Sequence, residues 1–395
     1  MILHHATAFG DTERRRERSV ARAAAARGRL LAWLAARGLP GVVLTGPAAV
    51  SWASGGTGPP VDRTAAVDLT WVVATPGACT LITTNVEAAR LRQEYDPPAH
   101  GFTGIAEVPW HDPAAFVAAA ADLAGAAPAG LASDGHPAFG ADASQDLTAL
   151  RLALSPAEQA DLADLGADAA RAVQEALAAW QPGERDLDIQ ARCAALLEAA
   201  GADAPVLIVG GDDRLDRFRH PMAAGAPVRR LAMAVVVARR HGLHAAATRF
   251  ASAGPLDGGH AALRARVLAI EDAVLAACVP GATYGQVLAA LDRAYAAAGA
   301  RSGWTGHYQG GPIGFAQREF EIAPGQAASR WHREPVAAGH AVAWNPSLPG
   351  GAKAEDTYLV DGAGGLRRVT AAPGWPAEAG GGRAGPRPGV LEVGG

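Results

Sequence analysis

Two stretches decide how this chain is read: residues 181–201, QPGERDLDIQARCAALLEAAG, and residues 279–299, VPGATYGQVLAALDRAYAAAG. Each opens on Pro-Gly, continues as helix-forming sequence rich in Ala and Leu, and ends on a glycine of the kind that closes helices. Proline to terminal glycine is 19 residues in both copies (201 − 182 and 299 − 280), and the copies stand 98 apart (280 − 182). A helix precedes each copy, from Ser155 to about Trp180 and from His260 to Cys278. Strand-type sequence follows each: Val206 to Val209 and Leu231 to Val237, then His340 to Trp344 and Thr357 to Val360. Such helix–helix–strand units predict pseudo-symmetric halves around one curved antiparallel sheet, with a natural ligand site between the halves.

Outward from the repeat, Ser155-Pro156-Ala157-Glu158 is a capping box with proline at the first helical position, so a new helix and a domain boundary fall there. Residues 1–152 read as an α/β domain. A basic helix from Thr12 to Arg37 stops at Gly38-Leu39-Pro40, and the short strand Val42 to Leu44 follows. Leu69 to Val73 and Cys79 to Ile82 flank Thr75-Pro76-Gly77-Ala78, a hairpin signal because Pro presets the first turn residue and Gly accepts positive φ. Residues 153–370 form the second domain. Residues 371–395, rich in Pro, Gly and Ala with few apolar anchors, are expected to be a poorly ordered tail.

With 395 residues, 49% hydrophobic and 19% charged, the chain suits two globular domains. A net charge of -4 points to no nucleic-acid or membrane partner. Leu231 to Ala238, the longest dense apolar run, is too short to span a bilayer. The N-terminus shows no apolar run of signal-peptide length before the charged stretch Asp11 to Arg18, which reads as a solvated helix face. Three cysteines, Cys79, Cys193 and Cys278, form neither an even set nor a CxxC pair, so a reduced, cytoplasmic setting is the expectation.

Five segments of the second half, together with the repeat, resemble the creatinase/prolidase/aminopeptidase P superfamily, whose fold is the pita-bread fold. Arg219-His220-Pro221 is similar to its catalytic histidine segment. Gly242 through Thr248-Arg249 resembles a stretch that in the peptidases carries two metal-binding aspartates; laid on that pattern, those positions fall on Val235 and Ala246. His307 to Gly314 resembles a segment with two histidines four apart, of which His307 matches the substrate-contacting one and Gly311 the metal ligand. Asn345-Pro346 stands where the family has Glu-Pro, and Glu355 matches the final metal-bridging glutamate. The resemblance therefore implies an α/β N-terminal domain followed by an α+β pita-bread domain, in a member that keeps one of five metal ligands and needs no cofactor. Val, Ala and Gly supply no donor atom for a dinuclear site. His241 and His244, three apart on strand-type sequence, would face opposite sides, and with His332 and His340 they are better read as exposed or hydrogen-bonded histidines than as a replacement metal site.

Without metal, the resemblance leaves His220 as the group that moves the proton and Glu355 as its acidic partner, placed beside it. Thr248, His307 and Asn345 are expected to contact substrate; Thr248 and Asn345 stand where creatinase has acids, so a guanidinium substrate is not expected. Arg63 falls in the segment that in creatinase reaches the neighbouring subunit's site, which implies a homodimer. Arg330 or Arg333 would add a second guanidinium for a small carboxylate-bearing substrate. Trp304, Tyr308 and Trp331 are candidate pocket walls. The expected function is a metal-independent hydrolase or lyase at a C–N bond; the alternatives are a non-catalytic homologue binding a peptide or metabolite, and an Xaa-Pro-type aminopeptidase with rearranged ligands.

Overall fold

A computed structural model describes residues 3–56, 61–378 and 382–394, and the chain divides into two units, Met1–Glu158 and Gln159–Gly395. The first contains α1 (Leu3–Arg37), β1 (Val42–Leu44), α2 (Pro47–Ser54), β2 (Thr70–Ala74), β3 (Cys79–Thr84), the single turn α3 (Ala88–Arg90), β4 (Ile105–Val108), α4 (Pro113–Ala124), β5 (Ala132–Ser133), β6 (Ala141–Asp142) and α5 (Ser144–Leu152). Helix α1 begins at Leu3, earlier than the expected Thr12. Residues 13–17 on it are exposed, in keeping with a solvated face. The strands form one mixed sheet, ordered β4-β3-β2-β1-β5-β6. The Pro76-Gly77 hairpin forms where its turn chemistry places it: Ala74 pairs with Cys79, and Thr75 N donates to Ala78 O at 2.8 Å. Val43, Trp71, Ile82, Phe116 and Leu131 fill the core on one side of this sheet.

The second unit contains α6 (Pro156–Ala178), α7 (Asp186–Ala199), β7 (Asp203–Gly211), α8 (Asp213–Arg217), β8 (Leu231–Arg240), β9 (Leu243–Ala253), α9 (Gly258–Ala277), α10 (Tyr284–Ala297), β10 (Gly310–Ile313), β11 (Ala341–Trp344), β12 (Ser347–Leu348), β13 (Ala352–Lys353), β14 (Asp356–Val360), β15 (Leu366–Arg368), β16 (Ala377–Glu378), β17 (Arg387–Pro388) and β18 (Val390–Val393). The capping box at the start of α6 is present: Ser155 N donates to Glu158 Oε2 at 2.5 Å, and Glu158 N to Ser155 Oγ at 3.4 Å. The repeat is visible in matching hydrogen bonds. Gly183 N donates to Val228 O at 2.6 Å and Gly281 N to Val336 O at 2.9 Å; the return bonds run from Val228 N to Glu184 O and from Val336 N to Ala282 O. Both Pro-Gly turns put the glycine at positive φ, 99° for Gly183 and 89° for Gly281, which a side chain would oppose.

The expected curved sheet is built from two four-stranded halves, β18-β9-β8-β7 and β10-β11-β14-β15. They meet along a seam between β9 and the segment entering β14. Thr248 N donates to Glu355 O at 2.9 Å, and Ala246 N to Thr357 Oγ1 at 2.8 Å. Arg249 and Asp356, both almost wholly buried, form an ion pair of 2.8 Å beside them. No helix among the described residues is long and apolar enough to cross a membrane.

The tail expectation is corrected. The described residues after 370 are docked: β16 pairs with β17, and β18 runs parallel to β9, from Val390 opposite Phe250 to Val393 opposite Ala253. A buried charge supplies the anchor that the apolar count lacks. Arg387, 2% exposed, reaches Glu271 at 3.1 Å, donates to Tyr358 Oη at 2.8 Å and pairs with Asp272. Its replacement strands the buried Glu271 without its cation, so Arg387→Ala is expected to lower unfolding free energy by about 3–5 kcal/mol in urea titrations. An unchanged midpoint would show that this segment is not docked in solution.

Candidate functional site

His220 lies just after α8, on a segment laid flat against β7. Gly210 makes that approach possible, since a Cβ there would lie 2.7 Å from both Cβ and the carbonyl oxygen of Pro221. His307 follows the turn Gly303–Gly306 and is held by Gln309, whose Nε2 donates to His307 O at 2.6 Å and to Trp304 O at 3.0 Å. The hydroxyl of Tyr295 fixes Gln309 in turn, donating to its Oε1 at 2.9 Å. These supports bring the two imidazoles together, Nε2 to Nε2 at 3.1 Å. Only one proton can sit between them, so one ring donates and the other accepts. Lys353 at the end of β13, 4% exposed, places Nζ 3.4 Å from the same Nε2 of His307.

Burial, and then this crowding of positive groups, shifts the protonation equilibria. Burial, then the charge of Lys353, drives His307 down to about 3. Burial, Lys353 and Arg318 lower His220 as well. Burial lowers Lys353, against the opposing pull of Glu355. His307 is therefore a neutral imidazole at neutral pH, with its Nδ1 buried and unbonded.

Glu355 does not contact His220 as expected; its carboxylate accepts from Thr248 Oγ1 at 2.9 Å and from Asn345 Nδ2 at 3.1 Å. His220 is contacted by His307 instead, and Lys353 bears on both His307 and Glu355. Thr248, His307, Asn345 and Glu355 thus form one buried group with Lys353, and His220 stands exposed at its mouth. Asn345 Oδ1 is buried without a hydrogen-bond partner.

Sequence reasoning missed three cations. Lys353 carried a signal: in the extended segment Lys353-Ala354-Glu355, residues two apart share a side. Arg219 carried another, its adjacency to His220; it donates to Ser347 Oγ at 3.3 Å and acts electrostatically on His307 and Lys353. Arg318 carried none. It lies 4.7 Å over the ring of the exposed Tyr308, pairs with Glu321, and acts on His220 and Lys353.

Arg330 and Arg333 are placed differently from the expectation. Arg330 opens the 3-10 turn Arg330–His332 and lies over the Trp331 ring, and Arg333 caps the turn's end. Trp331 stacks on Phe320, which meets Tyr284 edge-on, so this turn belongs to the start of α10, and Trp331 is core. Trp304 is tied down by Asp292 at 2.8 Å. Arg63 is exposed on a turn of the first unit.

The residues present do not fit a pair of divalent cations. Val235 pairs directly with Thr248 across β8 and β9, and Ala246 lies on the same face, so both family aspartate positions point toward the site without a donor atom. Gly311 is likewise bare, and a lysine ammonium stands beside the one remaining carboxylate. Among the described residues, no group of three His, Cys, Asp or Glu could hold a metal ion. The other histidines are occupied: His244 Nδ1 with Gly314 O, His332 Nε2 with Ala323 O, His340 Nδ1 with Tyr284 Oη. His241, read as strand, forms with Gly242 a two-residue hairpin turn at φ 52° and 80°.

Residues 161–362 match the model of metallopeptidase family M24. No curated protein matches the chain. Among solved structures, dipeptidase PepE from Mycobacterium ulcerans is 23% identical, with 95% of this chain and 99% of that one covered and a TM-score of 0.71. An Xaa-Pro dipeptidase from Bacillus anthracis is 18% identical (89% and 98% covered, TM-score 0.68). An X-Pro aminopeptidase from Thermotoga maritima is 16% identical (93% and 99% covered, TM-score 0.68). At these identities the likeness is one of fold.

The neutral His307 makes a pH prediction. Below about 6.5 the unfolded chain takes up a proton that the folded site refuses until about pH 3. Its contribution is thus complete above 6.5 and lost as pH falls toward 3. His307→Gln should flatten the acid limb of stability, on the order of 1 kcal/mol per pH unit below 6.5. Parallel curves for the two proteins in denaturant titrations from pH 7.5 to 4.5 would show that His307 is not held neutral.

Proposed function

We propose, from the premise that this chain belongs to metallopeptidase family M24, that it is a metal-independent hydrolase or lyase acting at a C–N bond of a small carboxylate-bearing substrate. The observation that carries this reading is the His220–His307 contact, set among Lys353, Arg219 and Arg318 where the family would place its metals. His220, held below its ordinary pKa and exposed, is a base able to take a proton and return it. In hydrolysis it would accept the proton of the attacking water and deliver it to the departing nitrogen; in elimination the proton would come from carbon instead. His307 orients His220 through the shared hydrogen bond. The three cations would grip the carboxylate and stabilise negative charge developing at the reacting carbonyl or amidine. Glu355, fixed by Thr248 and Asn345, would keep Lys353 in place and orient the substrate.

One observation favours a second reading, a binder without turnover: both Glu355 oxygens are engaged by Thr248 and Asn345, so the carboxylate is not directed at His220. The same cationic pocket would then hold its ligand unchanged. The proposal includes a cytoplasmic setting, supported by three free, buried cysteines. It also includes a homodimer in which Arg63 serves the partner's site.

The decisive test is turnover. His220→Ala should cut it ~10²–10⁴-fold with substrate affinity held within a few-fold, the scale of a lost acid–base group. Glu355→Gln should cost less, and chelators should leave activity intact. Conversion by the His220 variant at the wild-type rate, or activity lost with one tightly held metal equivalent per chain, would end this mechanism. Recovery of a stabilising ligand unchanged after long incubation with wild type would favour the binder.

The assembly is tested separately. Light scattering should give twice the chain mass; a monomer at working concentration would remove Arg63 from the site.

A further inference from the structure

His220 and His307 share one hydrogen between their Nε2 atoms, and the groups around them decide which ring carries it. Lys353 Nζ stands 3.4 Å from His307 Nε2, the same atom that faces His220 Nε2 at 3.1 Å. An ammonium has three hydrogens to donate and no lone pair with which to accept. A hydrogen on His307 Nε2 would therefore face a second donor. A lone pair there instead accepts from Lys353 and His220 alike.

The position of Lys353 is built into the fold. Its side chain is 4% exposed, and its backbone pairs with Ser347 in the β12–β13 hairpin. Ser347 N donates to Tyr295 Oη at 3.0 Å, and that hydroxyl donates to Gln309 Oε1 at 2.9 Å. Gln309 in turn donates to the carbonyl of His307 at 2.6 Å. One tyrosine on α10 thus holds both the strand that pairs with the lysine and the backbone of the histidine, and so sets their separation. Burial lowers the pKa of Lys353, and Glu355 opposes that shift by favouring the ammonium. Arg219 and Arg318, which act on the same groups, also only donate.

The remaining hydrogens follow. His307 is neutral, so with Nε2 bare its hydrogen sits on Nδ1, which is buried and makes no hydrogen bond of ordinary geometry. The Tyr308 backbone raises the pKa of that ring, the effect of a carbonyl near an N–H. His220 must then supply the hydrogen of the shared bond from Nε2, which leaves its own lone pair on Nδ1. That nitrogen belongs to an exposed ring and makes no hydrogen bond among the described residues, so it is open to a ligand arriving from solvent.

We propose that Lys353 is a positioning residue that fixes the shared hydrogen on His220 Nε2, so that Nδ1 of His220 is the atom that takes the proton in turnover. The second clause rests on the reading of His220 as the group that moves the proton; the tautomer itself does not.

The test is nitrogen-15 NMR of the full chain with labelled histidine at pH 7.5, using His220→Gln and His307→Gln to assign signals. In the wild type, Nε2 of His220 and Nδ1 of His307 should give pyrrole-type signals, and the other nitrogen of each ring a pyridine-type signal. Lys353→Met removes the donor, so all four signals should move toward intermediate values as the two arrangements exchange. Lys353→Gln, which can accept as well as donate, should blur them in the same way and serves if the first variant folds poorly. Any other wild-type pattern, or a wild-type pattern that persists in a folded Lys353 variant, would overturn the proposal. Neither substrate nor catalysis enters the measurement. A failed tautomer therefore leaves the enzyme reading standing, and an absence of turnover leaves the tautomer standing.

Discussion

The Arg249–Asp356 ion pair is the constraint on which the second unit depends. Both partners are buried at the seam of the two half-sheets, and Thr370 closes the arrangement by donating its hydroxyl to Asp356 at 2.6 Å while its carbonyl accepts from Arg249 at 2.7 Å. Taking two charges out of water is costly, and the attraction offsets that cost only when geometry and further hydrogen bonds are good. Here Arg249 Nη1 and Nη2 and Asp356 all find further partners while Arg249 Nε stays buried without one, and the gain is registration: residue 248 on β9 is locked against residue 355 before β14. Every side chain of the candidate site is placed relative to that lock.

From the lock, charge explains the site better than metal chemistry does. The family's fold turns two strand faces and two loops toward one point, and in this chain that point receives Val235, Ala246 and Gly311 instead of ligands. Positive side chains gather there: Lys353, Arg219 and Arg318 act on the two imidazoles and on one another. Burial first, and then the cluster of cations around one carboxylate, lowers the pKa of both imidazoles and so favours the neutral state in which they accept protons. The same burial and charge that keep His307 unprotonated, and so make the folded site lose stability in acid, would give it a base at neutral pH and an affinity for anions.

The C-terminal segment shows how a weakly apolar stretch can still dock. Val390–Val393 contributes a ladder with β9, and Arg387 brings a charge to the buried Glu271 and the half-buried Asp272, both on α9. Burial pushes Glu271 up to about 7 even with Arg387 in contact, a measure of how dry that position is. Composition alone reads such a stretch as unanchored, because it counts hydrocarbon and not the partners a single arginine will find.

What could be read in the chain before any coordinates were the features carried by neighbouring residues. Pro182-Gly183 and Pro280-Gly281, the Ser155–Glu158 box and the Pro76-Gly77 turn each encode their geometry within a few positions, so the repeat, the start of α6 and the hairpin were legible. His220, Thr248, His307, Asn345 and Glu355 were singled out through resemblance to motifs that keep their spacing, and the fold brings them into two contacts, His220 with His307 and Glu355 with Thr248 and Asn345. Their partners were not legible. Which nitrogen faces His220, what holds Glu355, and whether Arg318 or Arg330 lies near the imidazoles depend on contacts between residues far apart in sequence, such as 220 with 307 and 248 with 355. Local turn and helix chemistry acts over one to four residues, whereas burial and Coulomb interactions act through space once the sheet has closed. For that reason the scaffold and its histidines belong to the sequence, and the cationic character of the site and the docking of its last strand belong to the folded chain.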